Sequence, residues 1–180
     1  MSTFDFEAFN QAYEQINHYE RLQNIQRTIH APGKITVLLD ITEQHLSSPG
    51  AAHGGSMSGF MDVVLGYAAL TKALPEGNVV STVEFKMNFL KPIFLGDKLR
   101  GEGEVLSAGK RILVTDGRVY RNEELVATGQ GTFNAYPLEK KSCTTSMWLF
   151  QEGVAPLMNT PLLLPRFFRG FSLLSLFVSI

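Results

Sequence analysis

The sequence predicts an α+β domain in which one antiparallel sheet wraps around a long central helix. Three observations predict it. Residues 54–74 contain no proline and are apolar nearly all round, the pattern of a buried helix. Four β-rich runs follow residue 78 with short gaps between them, which implies antiparallel hairpins. A chain of 180 residues is long enough to close one core around such a helix.

The elements follow in order. Phe6, Phe9, Tyr13 and Ile16 recur at helical spacing, and Tyr19, Leu22, Ile25 and Ile29 continue it. An amphipathic helix with one break is therefore expected as far as Pro32-Gly33, which stops it. KITVLLD, from Lys34 to Asp40, reads as a strand. A loop dense in Ser, Pro and Gly then leads into the central helix, which Pro75-Glu76-Gly77-Asn78 ends. In VVSTVEFKMNFL, Val83, Phe85, Met87 and Phe89 alternate with Thr82, Glu84, Lys86 and Asn88. LRGEGEVLSA, RILVTDGRVYR and ELVATGQGTFNAY supply the remaining strands, with turns at Ala108-Gly109-Lys110 and Asn122-Glu123-Glu124. A helix followed by such a meander is expected to lie inside the curl of its sheet. This divides the chain into an N-terminal helical segment (1–33), the sheet-and-helix domain (34–136) and an apolar C-terminal extension without a clear period (137–180).

Composition narrows the function. Hydrophobic residues make up 44% and charged residues 18%, a globular balance. A net charge of −1 argues against a dominant nucleic-acid or anionic-membrane partner. Cys143 is the single cysteine, so no internal disulfide framework exists. The N-terminus lacks a basic region followed by an apolar run, so no signal peptide is read and a cytoplasmic location is expected. Pro165, Arg166, Arg169 and Gly170 interrupt the apolar C-terminal run, which makes it a poor membrane span.

Two features of the central helix point to chemistry. It opens on His53-Gly54-Gly55, and the first amides of a helix have no internal partner and carry positive potential. Glycine there lets a carbonyl group come close. The plain alternative is tight helix–sheet packing. Asp62 is then a lone carboxylate among Gly59, Phe60, Met61, Val63 and Val64. Burying a carboxylate is costly unless it is paired or functional, and a desolvated one is a candidate base or nucleophile. The plain alternative is a satisfied structural Asp. Gly54 and Asp62 are eight residues apart. On one helix that is roughly 12 Å, too far for both to engage one carbonyl. Two antiparallel copies of the helix would bring the Gly54 of one chain to the Asp62 of another. His18, His30 and His45 show no metal spacing, so no metal is expected.

These residues resemble the hotdog-fold acyl-CoA thioesterases, in particular the phenylacetate-pathway and 4-hydroxybenzoyl-CoA thioesterase-like branches. The matching signals are HGG at His53–Gly55, Asp62, NFLKP at Asn88–Pro92, Gly96-Asp97, GKR at Gly109–Arg111 and LVATGQGTF at Leu125–Phe133. The resemblance runs from about Lys34 to Ala135. It implies a hotdog fold and a homo-oligomer, at least a dimer and by expectation a tetramer. It implies hydrolysis of an acyl-CoA thioester with a small aromatic or medium-chain acyl group, and coenzyme A as part of the substrate, without a separate cofactor. Gly54 and Gly55 stand where the family polarises the carbonyl, and Asp62 where it keeps its base or nucleophile. Ser47 replaces the family's usual Asn or Gln, which puts carbonyl polarisation or substrate choice in question. Thr82 lines up with a Ser or Thr that supports the water in one branch. His53 chiefly shapes the turn into the helix, with general-base catalysis as the lesser reading. Lys91, Lys110 and Arg111 fall where the family meets the nucleotide end, though each also reads as ordinary surface charge. Two other readings compete: a hotdog dehydratase, whose His–Asp or His–Glu context is missing, and a non-catalytic acyl-CoA binding protein or sensor, which needs no Asp62.

Overall fold

The computed structural model describes residues 4–47 and 50–138. The expected C-terminal extension, apart from its first two residues, lies outside the described residues. Helices α1 (Phe6–Ile16) and α2 (His18–Leu22) come first, then strands β1 (Gln26–Ala31) and β2 (Lys34–Asp40). Helix α3 (Gly54–Ala73) follows, and then β3 (Asn78–Phe89), β4 (Lys98–Ala108), β5 (Ile112–Arg121) and β6 (Glu124–Pro137) among the described residues. The strands form a six-stranded sheet in the order β1-β2-β4-β5-β6-β3, antiparallel throughout. The sheet wraps α3, and α1 with α2 covers the far side of that helix. This is the hotdog fold.

From Met57 to Ala73 helix α3 buries most of its residues, with Phe60, Met61, Val64 and Leu65 at 1% exposure or less. Its close approach to the sheet depends on strand glycines. A Cβ on Gly103 would collide with the Val64 carbonyl, and one on Gly117 would stand 2.9 Å from a Leu65 methyl. Glycine weakens a strand in isolation; here the vacant volume is filled by the helix.

The N-terminal segment corrects the sequence reading. Residues 26–31 form β1, the edge strand beside β2, and do not continue the helix. Asn24 adopts φ +54°, a left-handed conformation that Asn tolerates, and it ends the helical path. Leu22, Ile25 and Ile29 fit helical spacing, but Ile25, Arg27 and Ile29 equally fit a strand's inward face. Arg27 disguised that alternation by placing a cation on the inward face. Its guanidinium is buried, 3.0 Å from Glu20, and lies 5.0 Å from the ring centres of both Tyr13 and Tyr67. Residues 4–33, expected as a helical segment, are thus part helix and part sheet.

Strand β3 departs from simple alternation. Its register with β6 shifts between Thr82 and Glu84, so Val83 is an extra, bulged residue. Thr82 pairs with buried Phe133, and Phe85 pairs with buried Gly131. Both therefore face the helix, although an unbroken strand would put them on opposite faces. Val83, expected on the inward face, is 58% exposed.

Candidate active site

Two parts of α3 carry the candidate chemistry, and they lie apart within one chain. The first is the N-terminus. His53 is the N-cap, with φ −67° and ψ 135°, and its Nδ1 accepts from the Gly55 amide at 2.9 Å. Gly55 is therefore already engaged. The Gly54 amide has no hydrogen-bond partner among the described residues. It opens on a groove of about 440 Å³ whose walls include Ala52, Met57, Phe89, Leu90 and Lys91. Phe89 and Leu90 are half exposed there, so the groove presents apolar surface to solvent.

The loop before Gly54 is held by the protein itself. Ser47 donates its hydroxyl to the Ala51 carbonyl at 3.0 Å. Its donor thus braces the turn and is not directed at the groove. Beneath it His45 is buried, its Nδ1 accepts from the Thr42 amide at 2.9 Å, and burial holds its pKa below the ordinary histidine value. The His45 carbonyl accepts from the His53 amide at 2.7 Å, which fixes the entry to α3.

The second part is Asp62, half buried, two turns further along. The β3 bulge turns Thr82 toward it, and the Thr82 hydroxyl donates to Asp62 Oδ1 at 2.9 Å. Burial raises the Asp62 pKa above the ordinary carboxylate value, and the Thr82 hydrogen bond opposes part of that rise. The resemblance points to both residues. What it missed is Tyr19, whose phenol lies on the helix surface at Gly59, one turn before Asp62. In the sequence Tyr19 reads only as part of the helical apolar spacing.

The candidate cations divide. Lys91 stands at the groove, with an exposed partner in Glu124 at 3.8 Å. Lys110 and Arg111 occupy the β4–β5 turn at the opposite end of the sheet. Strand β5 starts beside them and ends at Arg121, which donates to the Pro92 carbonyl next to Lys91. Its ten residues span roughly 33 Å. A single chain therefore does not bring Lys110 and Arg111 to Lys91. Among the described residues no cluster of His, Cys, Asp or Glu forms a metal cage. No helix among them is long and apolar enough to cross a membrane.

A buried helix inside a curled sheet, with a bare amide at its start and a desolvated carboxylate in its middle, defines a class of proteins. Comparison with known proteins identifies that class. The description "Thioesterase superfamily" fits residues 49–128. A Pseudomonas aeruginosa protein whose name proposes an esterase is 35% identical over 104 residues, covering 58% of this chain and 77% of that protein. The chain belongs to the thioesterase superfamily. Among solved structures, the PaaI protein of the E. coli phenylacetic acid degradation operon superposes with a TM-score of 0.67 at 22% identity. It covers 74% of this chain and 96% of its own. A hypothetical thioesterase of Streptococcus pneumoniae, solved with coenzyme A, gives a TM-score of 0.57 at 22% identity, over 63% of this chain and 87% of that one. At those identities the two structures speak for the fold.

Proposed function

We propose that this protein is an acyl-CoA thioesterase that acts as a homodimer on small aromatic or medium-chain acyl groups. The observation that carries the reading is the division of labour along α3. An unpartnered Gly54 amide faces an apolar groove, while the Thr82-held Asp62 does not line that groove. Each chain thus holds two half-sites that need a second copy to meet.

Strand β3 supplies the place to meet. Among the described residues it is an edge of the sheet, paired only with β6, and twelve residues long. An exposed edge of that length is a template for another strand. Antiparallel pairing of two β3 strands about a two-fold axis sets the two α3 helices antiparallel. Asp62 of the partner subunit then approaches the Gly54 amide. The same pairing sets the Lys110–Arg111 end of one sheet beside the Lys91 end of the other, where the phosphates of coenzyme A would lie.

In the reaction a water oxygen attacks the thioester carbonyl carbon. Asp62 takes one water proton, and the carbonyl electron pair moves onto an oxygen held by the Gly54 amide. When the tetrahedral intermediate collapses, the C–S bond breaks and the departing sulfur takes the proton from Asp62. The products are the free acid and coenzyme A. One preorganised amide at the oxyanion contributes about 3 kcal/mol of transition-state stabilisation, and a positioned base contributes about 10²–10⁴ in rate.

The test is thiol release from a panel of aromatic and aliphatic acyl-CoA thioesters. Wild type is expected to turn over at least one class, and Asp62→Ala to lose about 100-fold or more in kcat. Undiminished turnover by the variant would remove Asp62 from the mechanism. Binding without turnover across the panel would make the protein an acyl-CoA sensor.

A further inference from the structure

We propose that the Tyr19 hydroxyl is a catalytic group of this site, holding the attacking water together with the open oxygen of Asp62. The inference rests on the thioester-hydrolase reading and adds a residue to it.

The geometry begins at Gly59. A Cβ built there would clash with the Tyr19 hydroxyl and stand 3.0 Å from the ring's Cζ. Only a residue without a side chain admits the phenol to the helix surface. Asp62 is three residues further, and side chains at that spacing are neighbours on one helix face, about 5–6 Å apart. Thr82 engages Asp62 Oδ1 from the β3 side. The second carboxylate oxygen has no protein donor among the described residues. The Tyr19 hydroxyl likewise has no hydrogen-bond partner among them, and Tyr19 is 43% exposed, so water reaches it. The two groups are not bonded to each other. They are close enough that, after burial, the Asp62 charge is the next cause raising the Tyr19 pKa. A polar gap longer than a direct hydrogen bond can be spanned by a bridging water.

Tyr19 is held there by its neighbours. Asn17 caps α2 by accepting from the Glu20 amide at 3.1 Å, and Asn17 Nδ2 donates to the Glu20 carboxylate at 2.6 Å. Glu20 in turn meets Arg27 at 3.0 Å in the buried layer. With Glu20 fixed inward, the preceding residue is turned over α3. The other groups around Asp62 have partners of their own. The Tyr13 hydroxyl, which also feels the Asp62 charge, is hydrogen-bonded with the Asn17 side chain; Glu20 is paired with Arg27, and on β3 Glu84 accepts from Thr132 at 2.6 Å. Among the described residues Tyr19 is left as the unbonded hydroxyl within reach of the Asp62 charge. In the attack the water gives one proton to Asp62 and keeps its second hydrogen directed at the Tyr19 oxygen, while Tyr19 retains its own proton throughout.

Tyr19→Phe keeps the ring and removes the hydroxyl. On the thioester that wild type hydrolyses best, kcat is expected to fall about 10- to 100-fold, with KM within about twofold and an unchanged melting temperature. Gly59→Ala, which displaces the phenol, is expected to lower kcat similarly, and Tyr19→Phe added to it is expected to cost nothing further. Full kcat in Tyr19→Phe, beside an inactive Asp62→Ala, overturns the Tyr19 assignment alone. Absence of turnover by wild type overturns this inference together with the hydrolase reading.

Discussion

Asp62 shows what the proposed catalytic carboxylate costs its fold. Burial raises its pKa above the unfolded value, so the folded state favours the protonated acid. The sign follows from linkage: this group's contribution is most favourable below the unfolded pKa and is lost as pH rises through the folded one. At neutral pH the ionised carboxylate therefore weakens the fold. Asp62→Asn keeps the shape and an oxygen to accept from Thr82 while removing the charge. The variant is expected to melt about 1–4 °C higher at pH 7, with the gain shrinking toward pH 4 and below, while hydrolysis drops about 100-fold or more. A lower melting temperature at pH 7 would make Asp62 a structural partner instead. Asp62 and Gly54 were legible in the sequence because each breaks the pattern of its element. Tyr19 obeys its local pattern, so the sequence hides it, and only the missing side chain at Gly59 betrays the contact. Ser47 was legible as a substitution but not as a brace for its own turn.

At the scale of elements, the central helix and the four strands after it were readable because their periods are unambiguous. Strand β1 was not, because its inward side carries Arg27 where a strand would show an apolar residue. The β3 bulge was hidden for another reason: Val83 continues the alternation of side-chain types although the backbone does not continue the alternation of faces. Yet the bulge is what aims Thr82 at Asp62. The Arg27–Glu20 pair ties β1 to α2, and both side chains are at 7% exposure or less. A buried pair gives little net stability over an apolar substitute, whereas removing one partner strands the other charge. Burial already pushes the Glu20 pKa up, against the pull of Arg27 and Asn17. Arg27→Met is therefore expected to destabilise the fold by about 3–5 kcal/mol. Adding Glu20→Gln is expected to recover most of that loss. Urea midpoints measure both. A mild loss in the single variant, or no recovery in the double, would place the anchor of α2 elsewhere.

For the whole molecule the question is whether one chain contains a complete site. Gly54 and Asp62 are fixed on a single rigid helix, so no movement of a loop brings them together; in the proposed dimer a second chain would. Gly54→Pro tests the amide cleanly. Proline is accepted at the first position of a helix, where the lost N–H has no partner. His53 already holds ψ at 135°, the conformation that a following proline demands. Gly54→Pro and Asp62→Asn are each expected to be nearly inactive alone. Co-refolded in equal amounts, half of the dimers carry one chain of each kind. In such a dimer one site combines both defects. The other joins the intact Gly54 amide of the Asp62→Asn chain to the intact Asp62 of the Gly54→Pro chain. The mixture is therefore expected to recover about a quarter of wild-type activity, the share set by random pairing in a two-fold dimer. If each site were built within one chain, no pairing would restore it, and activity would stay at the level of the single variants.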